Sequence, residues 1–319
     1  MNAGLANELI MLPVTVVIST RDRGATITTT IATVLLNDYP DFEVIVVDQS
    51  EDDVTRASLR QFLVDPRLRY IRSTTKGVSD GRNLGLANAR TELIAVTDDD
   101  CEVPTNWIQE LVAAFALDRQ IGIVFGNVLP GPHDPASVFV IAYSREQPFL
   151  ARGIRDKHHV EGTSACMGVR RSVWQALGGF DSMLGVGAPL KSGGEVDFTI
   201  RALLAGYYTY ETPRLTLVHR GSRPLAQRRL VIERYWYGTG AVLAKQLKCG
   251  QWAVLRLVLH LAWRWAFGRS PIATSLGDGS HKWSRLRAFV RGLGAGGLVP
   301  VDRSTGHYVR LEKMLSRRP

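Results

Sequence analysis

Three short apolar runs each end in a polar or acidic residue, and this recurrence restricts the fold more than any other feature of the chain. Val14–Ser19 (VTVVIS), Phe42–Val47 (FEVIVV) and Glu92–Thr97 (ELIAVT) are β-branched runs of strand length. Thr20 follows the first, Asp48 the second, and Asp98, Asp99 and Asp100 the third. Between them the spacing is helical. Gly24 to Leu36 carries Ile27, Ile31, Val34 and Leu35, Val54 to Leu63 reads as helix, and Ser79 to Asn88 starts at Ser79 or Asp80 as an N-cap. Leu68–Arg72 reads as a short strand, Trp107–Ala116 as helix and Gly122–Leu129 as extended. Further on, Glu195 to Ala205 reads as helix and Leu215–Val218 as a strand ending in His219. Such alternation predicts an α/β fold with a mostly parallel central sheet flanked by helices. Ligands of these sheets bind at the carboxyl ends of strands. Thr20, Asp48 and the aspartate triplet are therefore expected to face one site.

Composition narrows the function classes. The three cysteines, Cys101, Cys166 and Cys249, form no CxxC pair, so reduced thiols are expected rather than a disulfide framework or a zinc site. Met1 to Leu12 lacks a basic region followed by an apolar stretch, and no run of eighteen apolar residues is free of charge. Neither a signal peptide nor a simple transmembrane helix is expected. The net charge of +9 is unevenly spread. Residues 1–219 hold 20 Lys/Arg and 26 Asp/Glu, whereas residues 220–319 hold 19 and 4. A soft domain boundary is expected near 220, and the basic segment beyond it suggests an anionic partner.

Three adjacent carboxylates at a strand end repel one another, and a divalent cation relieves that repulsion. Hard cations such as Mg2+ or Mn2+ prefer carboxylate oxygens and share substrate phosphates. In extended chain Asp98 and Asp100 would point one way and Asp99 the other. The triplet alone fits equally well a solvated acidic turn in which Asp100 or Thr105 caps the next helix. Asp48 could accept from a nucleobase or ribose, although on its own an aspartate there more often caps a turn. Lys76-Gly77-Val78-Ser79-Asp80-Gly81-Arg82-Asn83 carries glycines into a helix start, where backbone amides, Lys76 and Arg82 suit a diphosphate. Its spacing is neither a P-loop nor a dinucleotide fingerprint. Glu195 and Asp197 open a helix, either as partners of its dipole or as a general base. His219 is a structural histidine or a metal ligand. Gly292–Gly297 follows no strand and reads as a flexible turn.

From Val14 to His219 the chain resembles the family 2 glycosyltransferases, which have the GT-A fold. VTVVISTRDR is similar to the opening strand and its Thr-x-x-Arg loop, here Thr20 to Arg23. FEVIVVDQS resembles the strand ending in the nucleotide-binding aspartate, and KGVSDGRNLGL the Gly-x-x-x-x-Arg-Asn-x-Gly loop. ELIAVTDDDCEVP resembles the Asp-x-Asp strand, GVRRSVWQALGGFD the stretch leading to the acceptor side, and GGEVDFTIRALLAGY the catalytic helix. The resemblance implies a catalytic domain over 1–220, with a donor half to about 130 and an acceptor half from about 131. It implies a nucleotide-diphosphate-sugar donor and a glycan or lipid-linked acceptor in cell-surface polysaccharide or glycolipid synthesis. Thr20, Arg23, Asp48, Lys76, Arg82, Asp98 and Asp99 would contact the donor. Asp100, with Asp98 and His219, would hold Mn2+ or Mg2+, and transfer would proceed by a single inverting displacement. The family usually shows Glu-Asp before its catalytic helix, with the Asp as base. Here Gly194 and Glu195 occupy those positions, which makes Glu195 the expected base and Asp197 the alternative.

Residues 221–319 are expected to form a basic, mainly helical extension. Within 245–264, Lys245, Lys248, Arg256, His260 and Arg264 recur at near-helical spacing among Trp252, Leu255, Leu259, Trp263 and other apolar residues. Arg285, Arg287 and Arg291 continue the charge. This composition suits a helix lying on an anionic membrane surface through residues 245–291, at the inner face of the cell membrane. A core helix packed on the catalytic domain, or a dimer contact, is the alternative. A sugar-phosphate nucleotidyltransferase would need a glycine-rich, lysine-bearing loop after the first strand, where STRDRGAT stands. A nucleic-acid-binding protein would need basic residues interleaved with aromatics on a recognisable motif, and none is visible.

Overall fold

A computed structural model describes residues 12–260 and 282–310. The strands are β1 (Val14–Thr20), β2 (Phe42–Asp48), β3 (Leu68–Arg72), β4 (Leu93–Asp98), β5 (Cys101–Glu102), β6 (Ile121–Pro130), β7 (Val138–Val140), β8 (Phe149–Ala151), β9 (Cys166–Arg170), β10 (Tyr208–His219), β11 (Ser222–Pro224), β12 (Val301–Asp302) and β13 (His307–Tyr308). The α-helices are α1 (Gly24–Leu35), α2 (Val54–Ser58), α3 (Val78–Asn88), α4 (Trp107–Ala116), α5 (Arg171–Ala176), α6 (Gly194–Leu204), α7 (Arg228–Lys248) and α8 (Lys282–Leu298). The central sheet runs β3-β2-β1-β4-β9-β6-β10-β5, with β8 on β10. The β3, β2, β1 and β4 block is parallel, and β9 enters antiparallel between β4 and β6.

The β-branched runs form the centre of this sheet because they are buried on both faces. Val14, Val16, Val17, Ile18, Val44, Ile45, Val46, Leu93, Ile94 and Val96 are all fully buried. Helices cover each face, as apolar residues at alternate strand positions require. The register aligns the functional ends: Thr20 lies beside Asp48, and Ser19 beside Asp98. At the far edge β5 pairs antiparallel with β10, setting Cys101 opposite His219. That pairing brings the triplet's turn to a histidine more than a hundred residues later.

Several expected elements differ. Helix α2 stops at Ser58 rather than Leu63, and the chain continues in turns. Helix α3 is capped by Gly77 with φ 108°, not by a side chain of Ser79 or Asp80. Ser79 instead donates to the Leu184 carbonyl at 2.6 Å, and Asp80 accepts from Ser182 at 2.5 Å. The strand expected over 215–218 is the end of the twelve-residue β10.

The segment beyond 220 departs most. Helix α7 ends at Lys248, and Gly250 takes φ 79°, so 245–264 is not one continuous helix; residues 261–264 lie outside the described residues. The glycines of 292–297 fall inside α8 and are not a turn. They let α7 and α8 touch at the backbone: a Cβ at Gly292 would fall 1.9 Å from the Tyr237 carbonyl oxygen, and one at Gly240 2.2 Å from that of Phe289. An apolar cluster joins this helix pair to the first segment through Met183, Leu184, Leu190 and Ile200 against Ala241, Val242, Leu243 and Tyr308.

Candidate active site

A cleft of about 1100 Å3 opens at the carboxyl ends of β1 and β4. Ser19, Thr20, Arg23, Arg82 and the triplet line it, as do residues 185–188 and 191–196, Lys157, Arg223, Arg234 and Tyr235. The triplet sits where β4 gives way to a turn, so alternation ends at Asp98. Asp99 and Asp100 both reach Arg23 Nη1, at 2.9 and 2.5 Å, and the expected opposition of their side chains does not hold. Asp99 also accepts from Thr20 Oγ1 at 2.6 Å. Burial raises the Asp99 pKa to about 6 despite Arg23 and Thr20, which lower it. Asp98 faces elsewhere, accepting from Arg82 Nη2 at 2.7 Å.

Asp100 Oδ1 and His219 Nε2 lie 3.0 Å apart, both side chains buried. His219 Nδ1 is 2.9 Å from the Ile141 carbonyl. A carbonyl only accepts, so Nδ1 carries a proton, and Nε2 donates to Asp100 when the ring is protonated and presents a lone pair when it is neutral. A ring nitrogen held this way by a backbone carbonyl is the usual arrangement of a metal-ligating histidine. Burial disfavours the imidazolium, but the hydrogen bond and charge of Asp100 outweigh it and raise the His219 pKa. Burial acts likewise against the Asp100 carboxylate, and His219 and Arg23 reverse it, so its pKa is lowered.

The donor set fits a divalent cation on three counts. Asp100 Oδ1 is buried with no hydrogen-bond partner of good geometry. Neighbouring ligands of an octahedral Mg2+, bound at about 2.1 Å, stand about 3.0 Å apart, which is the separation observed. The space beside both donors is kept open by Gly221, whose Cβ would fall 2.2 Å from Asp100 Oδ2 and 2.8 Å from His219 Nε2. Among the described residues Asp100, Cys101 and His219 are the group able to share an ion. Burial pushes the Cys101 thiol well above its ordinary pKa, and a neutral thiol is a poor partner for a hard cation. Asp98, expected as a ligand, stands outside this group and is bound to Arg82.

Two further expectations are corrected. Asp48 is fully buried and its oxygens are already occupied. Oδ1 accepts from Ser50 N and Oγ at 2.9 and 2.5 Å, and Oδ2 from Tyr70 at 2.5 Å. It is a turn-fixing carboxylate, and Gln49, the next residue, lines the cleft in its place. Asp197 is also fully buried: it accepts from Arg201 Nε at 2.9 Å and Gln246 Nε2 at 2.8 Å, with Lys245 Nζ at 2.8 Å. Lys245 and Arg201 hold its pKa low against burial. A carboxylate so enclosed cannot reach an acceptor hydroxyl. Glu195, two positions earlier on α6, lines the cleft and accepts no hydrogen bond from a described residue. Lys76 lies off the cleft, paired with Glu51 at 2.8 Å.

Gln49 and Gly221 were missed by sequence reasoning. Gln49 could have been found from alternation, since residues 48 and 49 cannot share a face. Gly221 had no sequence signal, because its role arises from the β5–β10 pairing.

The chain is similar to several known proteins. The chain is 26% identical over 245 residues to the O-antigen biosynthesis protein RfbC of Myxococcus xanthus, matching 72% of this chain and 19% of that protein. It is 24% identical over 182 residues to the glucosyl-dolichyl phosphate glucuronosyltransferase of Haloferax volcanii, matching 54% of this chain and 58% of that one. In both, the chain spans less than two thirds of its relative. The fold is similar to that of the mannosyltransferase PcManGT from Pyrobaculum calidifontis, solved in complex with GDP-Man and Mn2+, at a TM-score of 0.57 and 18% identity over 92% of each chain. That likeness is one of fold, the GT-A fold expected above. The sequence profile of Glycosyl transferase family 2 matches residues 15–178, about half of the chain, and the chain belongs to that family.

Proposed function

We propose that this chain moves a glycosyl group from a nucleoside-diphosphate sugar to an acceptor hydroxyl, with inversion, and depends on a divalent cation. The observation that carries the reading is the buried Asp100–His219 pair, whose Oδ1 and Nε2 stand 3.0 Å apart, on the cleft that Glu195 also lines. The Mn2+ and GDP-Man bound to the Pyrobaculum neighbour support it.

Asp100 and His219 would hold the cation, Mn2+ or Mg2+. When bound, it neutralises charge on the departing diphosphate. Arg82, buried beside Asp98 with Nε unpartnered, offers that N–H to a diphosphate oxygen. Thr20 and Arg23 fix Asp99, and Gln49 faces the nucleoside side. Glu195 takes the proton of the acceptor hydroxyl. The acceptor oxygen bonds to the anomeric carbon as its bond to the diphosphate breaks, and the electron pair leaves with the nucleotide. A thermal-shift panel of nucleotide sugars, with Mn2+ and with EDTA, tests the donor assignment. Stabilisation by no nucleotide sugar in Mn2+ would sink it.

The acceptor is a glycan or lipid-linked, in cell-surface polysaccharide or glycolipid synthesis, a reading supported by the names of the Myxococcus and Haloferax relatives. We also place the protein at an anionic membrane surface, through fewer residues than the sequence suggested. Lys245 is fully buried, and Lys248 donates to the Gly297 and Val299 carbonyls. Trp252, Leu255 and Leu259 are exposed after α7, beside Arg256. On α8, Trp283, Arg287, Val290 and Arg291 recur at helical spacing and are exposed. Exposed tryptophans among cations suit an interfacial surface. Among the described residues no helix is long and apolar enough to cross a membrane.

A further inference from the structure

One buried carboxylate belongs neither to the Asp100–His219 pair nor to the clamp around Asp197. Glu211, on β10, is 1% exposed and gathers donors from two separate segments. Its Oε1 accepts from the backbone N–H of Glu161 at 2.8 Å and of Gly162 at 2.6 Å. Its Oε2 accepts from Tyr143 Oη at 2.9 Å, with Arg145 Nη1 3.0 Å away. Gly162 lets its loop come this close, since a Cβ there would fall 2.3 Å from the Phe125 side chain on β6, the neighbour of β10. Glu211 does not line the cleft itself, but Tyr143, Val160, Glu161, Gly162 and Lys157 do.

Lys157 lies on the 3-10 turn Ile154–His159, which packs against α6. Ile154 of that turn and Val196 of α6 share one apolar cluster. Lys157 Nζ donates to the Val160 carbonyl at 3.0 Å, and its other two N–H groups have no partner among the described residues. Burial pushes the lysine below its ordinary pKa, against the charges of Glu211, Glu161 and Glu195. Glu195 is thus near enough to act on the ammonium, yet no hydrogen bond or ion pair joins the two.

A freely mobile lysine would swing onto so near a carboxylate. Here the Val160 carbonyl holds it back, and that carbonyl shares one peptide unit with the Glu161 N–H that Glu211 grips. A peptide is planar, so fixing its N–H fixes its carbonyl as well. An oxygen seated between Lys157 and Glu195 would accept from the ammonium and turn its own O–H toward the carboxylate. The same ammonium offsets the charge that grows on that oxygen as the proton leaves. We propose that Lys157 presents its two open N–H groups to the acceptor oxygen beside Glu195, and that Glu211 is the positioning residue that keeps it there through the Val160–Glu161 peptide. This rests on reading the chain as a glycosyltransferase with Glu195 as base.

Competitive acetylation of the full chain with trace acetic anhydride, read at the Lys157 peptide by mass spectrometry as pH rises, gives the titration midpoint of Lys157 without any substrate. Glu195→Gln removes a nearby negative charge and should lower that midpoint by roughly one pH unit. Glu211→Gln should free the peptide and shrink the Glu195→Gln shift to less than about half, as a lost coupling does. Glu211→Asp keeps the charge but falls one methylene short of both N–H groups; it should act likewise, and it decides the point should Glu211→Gln not fold. Release of nucleotide to water, from nucleotide sugars that bind in Mn2+, supplies the reaction. Lys157→Met should lower its kcat by about tenfold or more, the loss of one hydrogen bond from a charged group, with the KM for donor nearly unchanged. Lys157→Arg should recover part of that loss. A Lys157 midpoint unmoved by Glu195→Gln, a full shift in the folded Glu211 variants, undiminished release by Lys157→Met, or a Lys157 unreactive at every pH overturns the proposal. A parent chain that binds a nucleotide sugar but releases no nucleotide to water holds no oxygen for Glu195, which overturns it too. If no nucleotide sugar binds in Mn2+ while the Lys157 midpoint still shifts, the glycosyltransferase reading fails and the Glu211–Lys157–Glu195 arrangement stands.

Discussion

Gly221→Ala adds one methyl group beside the Asp100–His219 pair and removes no donor atom. The backbone at Gly221 is outside the left-handed region, so alanine meets no conformational penalty and its effect comes from the Cβ alone. That Cβ would stand 2.2 Å from Asp100 Oδ2, 2.9 Å from its Cγ and 2.8 Å from His219 Nε2. The carboxylate must retreat by roughly 1 Å to restore van der Waals contact, which breaks its alignment with Nε2. Perturbing the surroundings of metal ligands typically costs about 10–100-fold in affinity. At Mn2+ well above both dissociation constants, a 100-fold loss lowers ligand-linked stabilisation by about 2.7 kcal/mol. With an unfolding entropy near 2.1 cal/mol/K per residue, that is a melting-temperature deficit of about 4 °C for a chain of this length. The assay is thermal unfolding against Mn2+ concentration for the parent and the variant, with the EDTA curves as baseline. Coincident Mn2+ titrations would refute the placement of the cation.

Glu195→Gln should lower transfer by about 100-fold or more while donor binding in Mn2+ persists; unchanged turnover would remove Glu195 as base. Lys245→Met leaves Asp181 and Asp197 without their shared cation, and breaking such a buried pair costs about 3–5 kcal/mol, readable in urea unfolding. Asp197 has its pKa lowered in the fold, so its stabilising contribution is present above the ordinary carboxylate range and is lost as pH falls through the lower folded value. Melting temperature should therefore drop on acidification below about pH 4, and Asp197→Asn should flatten that part of the profile; an unaltered acid limb would count against it. Trp252→Glu with Leu259→Glu should weaken sedimentation with anionic vesicles by at least about tenfold, and equal sedimentation would remove this surface as the membrane contact.

The parallel strands and the grouping of their carboxyl ends were legible because β-branched runs and their polar stops are local signals. What pairs with what was not. Asp197 looks like a free carboxylate in sequence, and its partners Arg201, Lys245 and Gln246 are four, forty-eight and forty-nine positions away. Likewise Lys245 looks like a membrane-facing cation until Asp181 and Asp197 are seen on either side of it, at 2.7 and 2.8 Å. Net charge along a segment counts such residues without knowing which are already neutralised. The glycines of α8 misled for a related reason: a glycine run weakens an isolated helix, yet here it permits backbone contact with α7.

The buried network also explains why two acidic residues two positions apart on α6 have different fates. Asp197 is fixed to α7 through Lys245 and Gln246, and Arg201 ties the same helix to the Leu177 and Gly179 carbonyls at 2.6 and 2.7 Å. Asp181 accepts from the Tyr308 backbone N–H at 2.9 Å, so the segment beyond 220 holds the clamp from two sides. Residues two apart on a helix point about 200° apart, and burying Asp197 on one face turns Glu195 toward the cleft. On the function proposed above, Glu195 serves as the base, and Asp197 positions the helix that carries it. Asp197→Asn should accordingly disturb transfer through the placement of Glu195, lowering kcat with the KM for donor nearly unchanged, whereas a substrate-binding role for Asp197 would raise KM.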